Sequence, residues 1–189
     1  MIKIYFVGAH STGKTTLARY VSKHYKLPLL TEVARSVLAE RELSIDGLRT
    51  DLSLVDDYQL TIFERQIAEE KRLRKFVSDR SFDNLAYAAQ HSRILFGLMK
   101  ERRLQEYVRS LRDPNVIIFF VRPAKVTIHS DGVRESGAWR DIVAIDAMVK
   151  LLLEMWGLRY LPVASVSMQE RVRSVDMILS LAGVAKAPL

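Results

Sequence analysis

The sequence predicts an α/β fold, an open, parallel, five-stranded sheet with helices on both faces, and three observations carry that expectation. β-rich and amphipathic helical segments alternate from one end of the chain to the other. The run Val116–Val121 (Val-Ile-Ile-Phe-Phe-Val) is apolar without alternation, as a central strand covered on both faces must be. The first β-rich stretch, Ile2–Val7, runs through Gly8 into a helical pattern, the strand, loop and helix that open a βαβ unit. Successive crossovers of this kind wind the sheet right-handed.

Each element has its own local signal. Lys14–Tyr25 places Leu17, Tyr20, Val21 and His24 at helical spacing. Leu29-Leu30-Thr31 after Pro28 reads as a second strand, and Val33–Glu42 as a helix with Val33, Ala34, Val37 and Leu38 on one face. Leu43–Asp51, with Asp46-Gly47, has no period and reads as a mobile loop. Ser53–Lys75 is a long helix opened by Ser53 with Asp56 three residues on, and it ends in the basic cluster Lys71–Lys75. Phe76–Asp79 is a short strand with a polar C-terminal edge, and Asp83–Gln90 and Leu98–Leu111 read as helices. After the Asp113-Pro114-Asn115 turn and the central strand, Arg122–Gly137 is polar and irregular. Trp139–Trp156 restores a helix capped by Gly157, and Arg159–Val163 is the last strand. Ser167 and Glu170 make a capping box for a helix over Met168–Leu181. Residues 1–182 therefore read as one domain with a lid-like segment at 122–137, and 183–189 as a frayed tail.

Composition narrows the function classes. A chain of 189 residues with 49% hydrophobic and 27% charged content buries a core without staples and is neither a disordered nor a fibrous protein. Zero cysteines exclude a disulfide framework, a Cys-based zinc site, an iron–sulfur cluster and thiol nucleophile chemistry. His10, His24, His91 and His129 have no metal-ligand spacing. The 29 Lys+Arg against 22 Asp+Glu give a net charge of +7, which favours anionic partners without choosing among nucleotide, nucleic acid and acidic lipid. No apolar run approaches the roughly 20 residues of a membrane span, and the N-terminal stretch lacks a signal pattern, so a cytoplasmic protein is expected.

Gly8-Ala9-His10-Ser11-Thr12-Gly13-Lys14-Thr15 fits G-x-x-x-x-G-K-T, directly after the first strand and opening a helix. Glycines there let successive backbone N–H groups surround a phosphate at a helix N-terminus. Gly8, His10, Ser11, Thr12, Gly13, Lys14, Thr15 and Thr16 are thus candidate ATP-binding residues. Lys14 reaches the β- and γ-phosphates in such a loop, and the Thr15 hydroxyl binds Mg²⁺.

Three further stretches, Thr31–Arg35, Ser78–Asp83 and Asp131–Arg134, complete a pattern that resembles the P-loop nucleoside/nucleotide kinase group. The nearest likeness is to the ribosylnicotinamide-kinase-like ATPases, with more distant similarity to thymidylate and deoxynucleoside kinases. The resemblance spans about residues 2–182. It implies P-loop NTPase strand order 2-3-1-4-5, with ligands at the C-terminal edge of the strands. It further implies an ATP- and Mg²⁺-dependent kinase whose acceptor is a nucleoside, nucleotide or related metabolite. By the same resemblance Glu32 is the base that takes the acceptor proton, Asp79 lies near metal or acceptor, Arg80 holds the acceptor, and Arg134 and Arg140 belong to a lid closing on the transferring phosphate. Arg35 would bind a substrate phosphate, and Gln59 and Gln66 would read a base or sugar.

Each assignment has a structural alternative. Glu32 also suits a helix N-terminus, Arg35 can pair with Glu32, and Asp83 makes a good N-cap. Arg134 and Arg140 suit a solvated loop equally, because no dense arginine pattern is present. Gln59 and Gln66 can be plain amides. Lys71–Lys75 and Lys100–Arg103 sit at helix ends, where they complement the dipole, although nucleic-acid contact is the sharper reading. A kinase acting on a base or end in DNA, and a slowly hydrolysing regulatory NTPase, are the rival functions; steep salt dependence of binding marks the first. The oligomeric state stays open, a homodimer included.

Overall fold

A computed structural model describes residues 1–31, 37, 52–91, 94–124 and 139–187. Five strands form one sheet: β1 (Lys3–Val7), β2 (Leu29–Leu30), β3 (Phe76–Ser78), β4 (Val116–Val121) and β5 (Leu161–Val163). All pairings are parallel and the order is β2-β3-β1-β4-β5. The 2-3-1-4-5 expectation is met. The helices are α1 (Lys14–Tyr25), α2 (Leu52–Arg72), α3 (Asn84–His91), α4 (Ile94–Leu98), α5 (Arg102–Ser110), α6 (Trp139–Met155) and α7 (Met168–Leu181).

Alternation along the central strands divides the core between the two sheet faces. Ile4 and Phe6 of β1 and Phe119 and Val121 of β4 meet Leu17, Val21, Val175 and Leu179 from α1 and α7. Tyr5 and Val7, with Ile118 and Phe120, meet Phe63, Leu85, Leu104 and Ile145 from α2, α3, α5 and α6. The register Phe6↔Phe119 stacks those rings with centroids 5.0 Å apart. Both faces are sealed, so ligand access is left to the strand ends.

Four local readings need correction. The helix expected over Leu98–Leu111 begins only at Arg102, a separate short helix having ended at Leu98, because the N–H groups of Lys100 and Glu101 turn back three residues to Gly97 and Leu98, and Glu101 is extended (φ −87°, ψ 137°) before α5 begins. The long helix ends at Arg72, short of the basic cluster's end at Lys75. The capping box on α7 is not formed: Ser167 makes no side-chain cap bond, and the Glu170 carboxylate takes the Ser165 hydroxyl instead. The tail is docked through residue 187. Ala187 N–H donates to the His24 carbonyl at 2.9 Å, Val184 packs on the α1/α7 core, and Lys186 Nζ meets Asp176 at 2.6 Å and the Tyr20 hydroxyl at 3.0 Å. The expected helix at Val33–Glu42, the loop at Leu43–Asp51 and nearly all of the lid-like segment lie outside the described residues, apart from Val37, which is helical, and Arg122–Ala124. No helix among the described residues is long and apolar enough to cross a membrane.

Asp176 gathers the tail. Its carboxylate accepts the hydroxyls of Tyr20 and Tyr25, both at 2.8 Å, besides Lys186. Burial alone would raise its carboxyl, but the hydrogen bonds from Lys186, Tyr20 and Tyr25 outweigh it and hold the group below its ordinary 3.8. A carboxyl depressed by folding contributes stability above its unfolded value and loses it as pH falls through the folded one. Asp176→Asn should therefore lower Tm by roughly 2–4 °C at neutral pH, as about 1 kcal/mol does in a chain of this size. The difference from wild type should shrink in thermal melts run below pH 3.8. A gap of constant size would show that the carboxylate charge is not what docks the tail.

Candidate active site

The loop between β1 and α1 is bent by its glycines and backed by one arginine. Gly8 has φ +144°, and a Cβ there would lie 2.4 Å from the Val121 carbonyl oxygen, so only glycine lets the end of β1 pass the end of β4 this closely. Gly13 has φ +93°, and its missing Cβ makes room for the Met168 methyl of α7. Ser11, at φ 55°, takes a left-handed conformation without being glycine, and the buried Thr12 hydroxyl donates to the Ala9 carbonyl at 3.0 Å.

Arg171, on α7, is 0% exposed. Its Nη1 donates to the Thr12 carbonyl at 2.6 Å, its Nη2 to the Arg122 carbonyl at 2.9 Å and its Nε to the Ser165 carbonyl at 2.5 Å. Burial pulls its basicity down, and the three carbonyls supply the oxygens that water would have offered. In a trans peptide C=O and N–H point opposite ways, so a Thr12 carbonyl held toward the core turns the Gly13 N–H toward the mouth of the loop. The sequence reading missed Arg171, although a signal was there: it precedes Val175 and Leu179 by four and eight residues, on the apolar stripe of α7.

Lys14 Nζ lies within the loop, donating to the carbonyls of Gly8 at 2.8 Å and Ala9 at 2.6 Å, and stands 3.9 Å from the Asp83 carboxylate. Burial raises the Asp83 carboxyl above its usual range, against the opposing charges of Lys14 and Arg80. Asp83 precedes α3, as an N-cap does, but its Oδ1 turns back to accept the Ser81 N–H at 2.8 Å. His10 N–H donates to the Tyr87 hydroxyl of α3 at 2.9 Å, and His10 Nδ1 lies 2.8 Å from the same oxygen.

Thr15 and Asp79 meet directly. The Thr15 hydroxyl donates to Asp79 Oδ2 at 2.6 Å, and the Thr31 hydroxyl donates to the same oxygen at 2.8 Å. Asp79 Oδ1 is buried and has no hydrogen-bond partner. An unpartnered carboxylate oxygen beside a threonine hydroxyl fits Mg²⁺, a hard cation that takes one or two protein oxygens and completes its shell with phosphate and water. Among the described residues no group of three or more His, Cys, Asp or Glu is arranged to hold a metal ion.

The strand ends thus bring together the loop residues, Lys14, Thr15, Asp79, Arg80 and Asp83. Arg80 is half-buried with its Nε unpartnered. Gln66 is buried, not a surface amide: its Nε2 is directed to Glu70 at 2.8 Å, Ser78 Oγ at 3.2 Å and the Arg80 carbonyl at 3.4 Å, while its Oε1 has no partner. Gln59 receives Asn84 Nδ2 on its carbonyl at 3.0 Å. Arg140 is exposed in the first turn of α6. Glu32, Arg35 and Arg134 lie outside the described residues.

Arg171→Lys keeps a charge but cannot fork to three carbonyls. On the expectation from its G-x-x-x-x-G-K-T sequence that the loop binds ATP, the change should weaken that binding by roughly tenfold, about 1.4 kcal/mol. Arg171→Met should destabilise the fold by roughly 2–5 kcal/mol through the carbonyls it strands. Calorimetric titration and urea melts measure the two effects; wild-type ATP affinity in the lysine variant would show that the fork does not shape the loop.

Comparison with known proteins bears on the fold. No curated protein sequence matches the chain. A family profile described as an AAA domain matches residues 3–171. Among solved structures, a NadR protein in complex with NR superposes with a TM-score of 0.74 at 18% identity, covering 100% of this chain and 53% of that one. The chain thus spans about half of NadR. Deoxyadenosine kinase from M. mycoides, with product dCMP bound, gives a TM-score of 0.67 at 12% identity over 96% of this chain and 100% of its own. Shikimate kinase from Acinetobacter baumannii, in complex with shikimate, gives 0.57 at 11% over 97% and 94%. The chain belongs to the AAA-domain family so matched, and its β2-β3-β1-β4-β5 sheet behind a phosphate loop is the fold of the P-loop nucleoside and nucleotide kinases.

Proposed function

We propose that this protein is an ATP- and Mg²⁺-dependent kinase that phosphorylates a hydroxyl of a nucleoside, nucleotide or related small metabolite. The observation that carries the reading is the meeting of Lys14, the Thr15–Asp79 pair and Arg80 at one sheet edge. The nucleoside and small-molecule kinases that share the fold support it.

In this reading the backbone N–H groups of the loop bind the ATP phosphates, and Lys14 leaves its loop carbonyls for the β- and γ-phosphates. Thr15 and Asp79 would hold Mg²⁺, which when bound neutralises charge on the phosphate oxygens. The acceptor oxygen forms a bond to the γ-phosphorus as the bond from that phosphorus to ADP breaks, and the acceptor proton passes to Glu32. Arg80 orients the acceptor, and with Arg35, Gln66, Arg134 and Arg140 completes the proposed substrate side. Positioning and electrostatics supply most of the rate. Several exposed basic side chains have local partners. Arg72 pairs with Glu69, Arg102 with Glu106, and Arg103 with Glu64 and Glu101. This charge compensation favours a small acceptor over DNA.

An ADP-formation screen over nucleosides, nucleotides, small hydroxy acids and duplex DNA tests the assignment. Lys14→Ala should abolish ADP formation while circular dichroism stays native; wild-type turnover would refute the site. Glu32→Gln should lower kcat by roughly 10²–10⁴ with little change in ATP affinity, the usual worth of a general base. If Asp79→Asn alone destroys turnover and Glu32→Gln is silent, the base is Asp79.

A further inference from the structure

Behind the site lies a buried carboxylate that the transfer chemistry does not use. Glu70, on α2, is 4% exposed. Its Oε2 accepts the Tyr5 hydroxyl of β1 at 2.6 Å, and its Oε1 accepts the Tyr107 hydroxyl of α5 and the Gln66 amide, both at 2.8 Å. Burial holds both phenols well above their usual range, so they remain protonated donors. Burial also raises the Glu70 carboxyl, and the hydrogen bonds from Tyr5, Gln66 and Tyr107 oppose that rise.

Two of the three donors continue to the turn between β3 and α3. Tyr107 Oη lies 2.8 Å from Ser81 Oγ, and since the one phenolic proton goes to Glu70, Ser81 is the donor of that pair. Gln66 Nε2 reaches Ser78 Oγ and the Arg80 carbonyl, and Ser78 Oγ itself donates to that carbonyl at 2.7 Å. The backbone carrying Asp79 and Arg80 is therefore gripped from both flanks, and both grips end on one carboxylate oxygen. The Tyr5 hydroxyl gives its proton to the other oxygen and is not a link to the turn.

We propose that Glu70 is a positioning residue: through Gln66 and Tyr107 it fixes the Ser78–Ser81 turn and so places Asp79 for Mg²⁺-nucleotide. The inference rests on the reading of Thr15 and Asp79 as the metal side of the site. A carboxylate that holds three donors in the core restrains the segments that carry them, and displacement of a site group by about 1 Å is enough to cost orders of magnitude in function.

Tyr5→Phe and Tyr107→Phe each remove one phenol from the same carboxylate, but only the second severs a path to the turn. Ser81→Ala cuts that path at its far end with a smaller loss of core, and decides the matter if Tyr107→Phe does not fold. For each full-length variant, checked by thermal melt, the Kd of ADP is measured by calorimetry with excess Mg²⁺ and with EDTA. Wild type and Tyr5→Phe should show the same tightening by Mg²⁺. Tyr107→Phe and Ser81→Ala should lose at least about fivefold of it, with ADP affinity in EDTA within about twofold of wild type. Full Mg²⁺ tightening in the Tyr107 and Ser81 variants, or equal loss in Tyr5→Phe, would overturn the proposal and leave the network a packing feature. Absence of tightening in wild type would instead refute the metal reading of Thr15 and Asp79, and the proposal with it.

Discussion

One guanidinium sealed from water holds the phosphate loop in shape. Arg171 lies fully buried and divides its donors among the carbonyls of Thr12, Arg122 and Ser165. These belong to the loop after β1, the end of β4 and the segment between β5 and α7. An uncompensated charge in such a place would be far too costly, so the three segments stay where their carbonyls meet the fork. The loop is thereby tied to the ends of β4 and β5 and to the helix that carries the arginine. Gly8 adds the second constraint, since its bare Cα lets the loop start against the Val121 carbonyl.

On the other side of the loop, hydrogen bonds replace backbone contact. Thr15 of α1, Thr31 after β2 and Asp79 after β3 converge on one carboxylate oxygen, joining three neighbouring segments at the sheet edge. Lys14 and Asp83 stand as a buried charge pair between the loop and α3, and His10 reaches α3 through Tyr87. A displacement of α3 therefore bears on the phosphate loop at two points. The Glu70 network supports the same turn from beneath, so the loop after β1 and the turn after β3 share one scaffold.

Much of this was legible in the sequence because it depends on local pattern. The strand at Val116–Val121 and the helix at Lys14–Tyr25 have the bounds their periodicity gives, and the glycines of the phosphate loop announce its turn chemistry. The loop motif put Thr15 on Mg²⁺ and the family resemblance put Asp79 near metal or acceptor, but the direct hydrogen bond between them was not legible. What escaped depends on contacts distant in sequence. Arg171 reads as an ordinary helical arginine until its place on an apolar stripe is noticed. Glu70 sits beside the basic run Lys71–Lys75, where a charged residue looks solvated, yet its partners Tyr5 and Tyr107 are 65 and 37 residues away. The docked tail shares that cause, since nothing beside Lys186 signals locally that it will meet Asp176 and Tyr20.

The claim on which the rest hangs is that this loop, so held, transfers the γ-phosphoryl group of ATP to an acceptor hydroxyl. Phosphorus NMR of Mg²⁺-ATP incubated with the protein and a pool of nucleosides, nucleotides and small hydroxy acids follows the group itself. The account predicts that the γ resonance is replaced by a phosphoester signal of a new product, with ADP in equal amount. Inorganic phosphate as the sole product, at the same rate with and without the pool, would contradict it.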